Sequence, residues 1–250
     1  MLEKIRTILD DYQPVSLEEI ETIKLMNRVD TKYIVPAETM IELLETLSDD
    51  YMTLEIASQR FGQYKSMYYD TPDLQMFHAH ITSRYPRFKV RERTYSQNNL
   101  QFLEVKRKKI NGRTSKKRLS LENDNGLDVT EKNFLVRNVP FNVEDLQPQL
   151  GNSFNRITLV NRERTERLTL DFDIQFHSAN GIATPVFKNA AIIEVKQDKK
   201  ADSVITRILR NKNIRPCGMS KYCVGMFLIH SNFSYKKYKP KFIKFIKISQ

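Results

Sequence analysis

Between Arg87 and Leu121 the chain alternates charge and hydrophobicity with a period of two. In RFKVRERTY, Arg87, Lys89, Arg91 and Arg93 take one set of positions while Phe88 and Val90 take the other. LQFLEVKRK sets Phe102, Glu104, Lys106 and Lys108 against Leu103 and Val105. In GRTSKKRLSL, Thr114, Lys116, Arg118 and Ser120 alternate with Leu119 and Leu121. Residues two apart on a strand share a face. The pattern therefore predicts three neighbouring strands, each cationic on one face and apolar on the other. Like charges facing one another in a sheet are destabilising, and a polyanion lying between them removes that cost.

The same reading extends along the chain. Residues 16–26 open with Ser16 and Glu19 at capping-box spacing and predict a helix. NRVDTKYIV predicts a strand with Arg28, Asp30 and Lys32 on one face, and PAETMIELLETLSDD a helix with Pro36 near its first turn. YKSMYYDT reads as a strand and DLQMFHAHI as a short helix. Residues 122–155 are polar with turn residues, and 130–138 read as helical. RITLVNRERTERLTLDFDIQF returns to alternation, but its apolar parity switches near Glu163–Glu166. A turn or bulge there puts Arg162 and Arg167 on one polar face. AAIIEVKQD is a strand carrying Glu194 and Lys196 on one face, followed by helices over ADSVITRILRNKN and SKYCVGMFLIH. There is no repeat, low-complexity tract or linker. The expected fold is α+β: an antiparallel tunnel or barrel of about eight strands with a polar, cationic interior, flanked by helices. One domain is expected over residues 1–235, with a basic C-terminal tail over 236–250.

Composition narrows the partners. The 250 residues carry a net charge of +11, which favours anionic ligands. Strict alternation along strands and the absence of Trp argue against a nucleic-acid surface built from stacking aromatics. Cys217 and Cys223 lack metal-site spacing and read as buried free thiols in a reducing compartment. No segment approaches the ~18 consecutive apolar residues of a membrane span, and the N-terminus lacks a signal-peptide core, so a cytoplasmic protein is expected. His78 and His80 read as surface residues. Asp171 and Asp173 share a polar face and read as salt-bridge partners of the cations. The tail SYKKYKPKFIKFIKISQ suits an acidic membrane surface or a partner protein; the other reading is a terminal strand or disordered end.

The ordered set RVDTKY (28–33), YYDT (68–71), KVRER (89–93), FLEVKRK (102–108), GRTSKKRLSL (112–121), ERLTLD (166–171), IIEVK (192–196) and SKY (220–222) resembles the VTC-type polyphosphate polymerase domains of the triphosphate tunnel metalloenzyme (CYTH-like) superfamily. The resemblance implies a tunnel that binds ATP, triphosphate or polyphosphate with a divalent metal, Mn²⁺ or Mg²⁺, and transfers the γ-phosphate of ATP onto a polyphosphate chain. Carried over residue by residue, it implies catalytic roles for Lys32, Arg91, Arg93, Lys106, Lys116, Arg162 and Arg167. It further implies phosphate contacts from Arg118, Lys196, Ser220 and Lys221, and metal binding by Glu194. Where relatives carry a lysine two positions before the serine of SKY, this chain has Gly218. The alternatives are a metal-dependent triphosphatase or polyphosphatase using the same tunnel, or a non-catalytic polyphosphate or inositol-phosphate binding module.

Overall fold

A computed structural model of the chain describes residues 1–22, 29–121, 127–230 and 238–250. Arg28, read above as part of a strand, and residues 236–237 of the tail lie outside the described residues. The elements run α1 (Leu2–Asp10), β1 (Pro14–Val15), α2 (Leu17–Thr22), β2 (Val29–Pro36), α3 (Ala37–Thr46), β3 (Tyr51–Leu54), β4 (Phe61–Asp70) and α4 (Gln75–Ile81). Then come β5 (Arg87–Tyr95), β6 (Leu100–Lys108), β7 (Thr114–Leu121), α5 (Val129–Val136), β8 (Gln147–Asn161) and β9 (Glu166–Ser178). The chain ends with β10 (Ala190–Gln197), α6 (Val204–Asn211), α7 (Lys221–Ile229) and α8 (Lys239–Ser249).

Eight strands form one antiparallel path in the order β2-β10-β9-β8-β4-β5-β6-β7, with β3 paired to β8 and β1 to β3. This is the expected α+β tunnel-like architecture, except that β2 and β7 are not hydrogen-bonded to each other and the sheet stays open. Alternation sets the two faces. Outward-facing Ile157, Leu159, Leu168, Leu170 and Phe172 pack with α1, α3 and α6, while Phe88, Val90, Leu103 and Val105 pack with the α5 region. The inward face is divided. One part is filled by α7, whose Tyr222, Cys223, Val224, Met226 and Phe227 are all buried, as expected of a helix that is apolar all round. Gly225 permits this approach, since a Cβ there would stand 2.5 Å from Leu150 Cδ2. The remaining inward face is polar and encloses a cavity.

Local signals explain the helix boundaries. Ser16 and Glu19 form the expected reciprocal cap, Glu19 N–H donating to Ser16 Oγ at 3.2 Å and Ser16 N–H to Glu19 Oε2 at 3.0 Å. Asp128 with Glu131 and Ser203 with Thr206 do the same for α5 and α6.

Four expectations require correction. The first half of β8, within the stretch read as turn-rich, is a central strand. α1 was not anticipated, although Ile5, Ile8 and Leu9 give its buried stripe. The described part of the tail, residues 238–250, is neither a strand nor a disordered end. It forms α8, seated by Phe242, Phe245 and Ile246 on the same core as α7, with Phe245 against Phe187 and Phe176. Burial of that face seats α8 against α7. Finally, Asp173 does not share the inward face of Asp171. A register shift between Ser153 and Asn155 and a positive φ of 49° at Asp173 turn it away, and Asn155 Nδ2 donates to it at 3.1 Å. No helix among the described residues is long and apolar enough to cross a membrane.

Candidate functional site

Inward positions of all eight strands of the path meet around a cavity of about 330 Å³. Ten Lys or Arg side chains line it against Asp30, Asp171 and Glu194, with Glu104 just beneath. Three ion clusters hold the cations in place, and in each an acid is shared by two bases. Glu104 on β6 accepts from Arg91 Nε at 2.8 Å and Nη2 at 2.5 Å on β5, and from Lys116 on β7. Asp171 on β9 accepts from Arg156 Nε at 2.5 Å and Nη2 at 2.7 Å on β8, and from Lys221 at the start of α7. Glu194 on β10 pairs with Lys32 on β2 and with Lys196 at 3.2 Å. The register creates these clusters: Arg91 stands opposite Glu104, Arg156 opposite Asp171 and Lys32 opposite Glu194.

Between the clusters lie Lys89, Lys106, Arg93 and Arg167. Lys89 Nζ donates to Ser220 Oγ at 3.0 Å, Arg93 Nε to Ser66 Oγ at 3.1 Å, and Arg167 Nη2 to the carbonyl of Ile20 at 2.7 Å. Ser220 caps α7, so that helix presents its N-terminal end, the positive end of its dipole, to the cavity. Thr169 Oγ1 is buried, lines the cavity and has no hydrogen-bond partner among the described residues.

The crowding shows in the titration behaviour. Burial, then the charges of Lys196, Lys221 and Lys89, bring Lys32 down to about 7 against the help of Asp30. Burial likewise depresses Lys89, Lys106 and Lys221, with neighbouring cations adding to it. The acids go the other way. Burial alone would raise Glu104 and Asp171, but Arg91, Arg93 and Lys116 hold the first well below the carboxylate range, and Arg156 and Lys221 the second. Burial also opposes ionisation of Tyr68, yet Arg91, Arg93 and Lys89 bring its hydroxyl down to about 8.

Of the residues singled out in the sequence, Lys32, Arg91, Arg93, Lys106, Lys116, Arg167, Glu194, Lys196, Ser220 and Lys221 are brought to this cavity. Two are not. Arg162 is exposed and donates to the carbonyls of Asp49 and Ser48 and to Gln13, because β8 ends at Asn161 and the turn carries the next residue outward. Arg118 lies beyond the cavity, its guanidinium 4.7 Å from the centre of the Phe102 ring. Arg156 was not singled out, although counting back by two from Thr158 reaches it. His80 is also misplaced by the surface reading: it is half-buried, with Nε2 3.2 Å from the carbonyl oxygen of Phe88.

An open antiparallel sheet curled around a cation-lined cavity, with a helix N-terminus in its wall, defines a class of α+β domains built around a basic cavity. The family model of the VTC domain matches residues 27–230, and the chain belongs to that family. A candidate adenylyl cyclase from Hippeastrum, described as having a dominant triphosphatase activity, shares the fold at a TM-score of 0.50 and 16% identity, over 79% of this chain and 94% of that one. A candidate adenylate cyclase from Vibrio parahaemolyticus is similar at a TM-score of 0.47 and 12% identity, over 78% and 95%. A protein from Pyrococcus horikoshii is similar at 0.47 and 15%, over 80% and 97%. Among curated protein sequences none matches the chain.

Proposed function

We propose that the chain is an ATP-dependent polyphosphate polymerase that transfers the γ-phosphate of ATP onto the end of a polyphosphate chain. The observation that carries this reading is the cavity wall, where ten cations face a space with only three carboxylates in its lining. Membership of the VTC domain family supports polyphosphate or triphosphate as the ligand. In the transfer, a terminal phosphate oxygen of the chain bonds to the γ-phosphorus of ATP. The bond from that phosphorus to the β,γ-bridging oxygen breaks, and ADP leaves with its electron pair. Such a reaction asks little of side chains beyond position and charge neutralisation. Arg91, Arg93 and Arg156 offer planar forks for non-bridging oxygens, and the lysines offer mobile point charges.

A divalent ion fits the donor set only with help from the substrate. No group of three or more His, Cys, Asp or Glu converges among the described residues, but Glu194 lines the cavity together with Asp30. Hard ions such as Mg²⁺ accept one or two carboxylates, completed by phosphate oxygens and water. Held at Glu194, the ion would neutralise charge on the phosphates being transferred.

The same wall serves a triphosphatase, the activity described for the Hippeastrum relative; the difference lies in whether water reaches the reacting phosphorus. Incubation with ATP and Mn²⁺, following ADP, free phosphate and long-chain polyphosphate together, separates the readings. ADP with polymer, lost in the Arg91→Ala/Lys106→Ala double variant, is the expected result. Free phosphate without polymer would transfer the assignment to a triphosphatase. Tight polyphosphate binding without turnover would leave a binding module.

Binding should also move protons. The pKa of Lys32 is lowered in the folded protein, so the unfolded chain binds more protons between about 7 and the ordinary lysine value of 10.5. The associated stability is fully present above that range and lost as pH falls through about 7. A polyanion in the cavity restores the lysine protons. Calorimetry of tripolyphosphate binding at mildly alkaline pH, in two buffers of different ionisation enthalpy, should show net proton uptake. Identical heats in both buffers would contradict it.

A further inference from the structure

Next to the central cavity lies a second one of about 450 Å³, which shares Lys32, Lys89, Lys106, Glu194 and Ser220 with it. Its outer wall is formed by Arg87, Lys108, Gly218 and Lys241. Building on the polyphosphate reading, we propose that Lys241, brought by the C-terminal helix α8, forms with Arg87 and Lys108 a further anion subsite that engages polyphosphate chains extending beyond the central cavity.

Three independent features support this subsite. The first is that α8 is fixed to the phosphate-facing helix at its start. Tyr238, buried at 6% exposure, accepts a hydrogen bond from Ser220 N–H at 2.7 Å and donates to the Ser220 carbonyl at 3.3 Å. Lys241 follows Tyr238 by three residues, and its ammonium stands 5.4 Å from the centre of that ring. A lysine on an element locked in this way is held at the wall, which lowers the ordering cost of using it.

The second feature is reach. A Cβ built on Gly218 would stand 3.8 Å from Lys241 Nζ, so the ammonium lies against the backbone two residues before Ser220. Position 218 itself brings no side chain, and the charge there comes from α8 instead.

The third is charge without compensation. From Ser203 to Gln250 the sequence contains no Asp or Glu, and Lys241 makes no ion pair among the described residues. Several other surface cations do find acids: Lys4 pairs with Glu45, Lys132 with Glu144 and Lys212 with Glu42. In the second cavity the only carboxylates are Asp30 and Glu194, on the wall shared with the central cavity. His80 adds no charge of its own, since burial and then Lys89 and Arg87 bring it down to about 2. Moving outward from the shared wall, the charged residues of the lining are therefore all cations (Arg87, Lys108 and Lys241), which suits successive phosphate units of a polymer.

The test is chain-length dependence. Affinities of the full chain for tripolyphosphate and for long-chain polyphosphate are measured for the wild type, Lys241→Ala and Lys241→Arg. The wild type should bind the long chain more tightly. Lys241→Ala should weaken long-chain binding roughly fivefold to tenfold, the effect of one phosphate contact, with tripolyphosphate unaffected and Lys241→Arg close to wild type. Equal weakening of both ligands, or of neither, would overturn the subsite. If the wild type binds neither ligand, the polyphosphate reading fails with it, a result distinguishable because the unmodified chain already fails. Lys241 is exposed, so loss of the fold is not expected, and unchanged thermal unfolding of the variants confirms it.

Discussion

Arg91→Ala should abolish turnover with ATP, by about 10²–10³-fold or more, and should also destabilise the protein in the absence of ligand. The second effect follows from Glu104, whose side chain is fully buried and is shared between Arg91 and Lys116. Removing Arg91 leaves that carboxylate with one base, and breaking a buried pair from one side costs about 3–5 kcal/mol. Arg91 also donates to Tyr68 at 3.3 Å and holds the ionised form of that hydroxyl within reach of neutral pH. The two consequences are separable. In Arg91→Ala/Glu104→Gln the orphaned charge is gone, so most of the stability should return, while turnover should stay lost if Arg91 is, as proposed, the cation that meets the phosphates. Denaturant unfolding and ATP turnover on the single and double variants provide the check. Recovery of both together would mean that Arg91 acts only by keeping the strand pair intact, and its role toward phosphate would have to be given up.

Alternation makes the central strands legible in the sequence itself. Charge and hydrophobicity on β5, β6 and β7 are segregated by parity, and parity fixes faces. Hence Lys32, Arg91, Lys106 and Glu194 could be placed in one lining from their own short motifs. Where the reading failed, parity had been carried past the point where pairing stops. Asn161 ends β8 by turning its side chain into the hairpin, accepting from Thr165 N–H and Glu166 N–H at 2.9 and 2.7 Å. Arg162, one residue on, is released from the pleat and reaches Asp49. Asp173 failed for a related reason, because a bulge resets the count. The first half of β8 was hidden by composition: Gln147, Pro148, Gln149 and Gly151 look like a loop, yet Leu150 and Phe154 are fully buried between β4, β9 and α7. Such burial belongs to tertiary packing, and no local pattern carries it. The docking of α8 was hidden likewise, since its lysines dominate the sequence while Phe242, Phe245 and Ile246 decide its place.

An equally large effect on stability is expected at a residue outside the cavity. Asp70, the acid of the YYDT motif, is fully buried and is the meeting point of two motifs that lie far apart in sequence. Its Oδ1 accepts from Thr71 N–H at 2.8 Å and Met76 N–H at 2.9 Å; its Oδ2 accepts from Phe77 N–H at 2.8 Å and from the Tyr222 hydroxyl at 2.6 Å. One carboxylate thus starts α4 and anchors the first turn of α7, whose Tyr222 also stacks on Tyr68 at 5.1 Å. Ser220 and Lys221 are therefore placed at the cavity by a contact made behind them. Asp70→Ala strands several buried donors and should cost about 3–5 kcal/mol. Tyr222→Phe removes one donor, should cost about 1–2 kcal/mol and should leave the fold intact. Its larger effect should be on catalysis: roughly tenfold or more off turnover through misplacement of the α7 start, with tripolyphosphate affinity changed much less. The pH dependence supplies a separate readout. Burial raises the Asp70 carboxyl despite Tyr222 and the backbone donors. Protonation therefore favours the folded state, and this contribution is complete below the ordinary carboxylate range and lost as pH rises through the elevated value. The stability advantage of the wild type over Asp70→Asn should widen as pH falls from neutral into the mildly acidic range. A constant difference across that range would show that Asp70 titrates as it does in the unfolded chain. Unchanged turnover in Tyr222→Phe would show that the α7 start is positioned by Ser220 and Tyr238 alone.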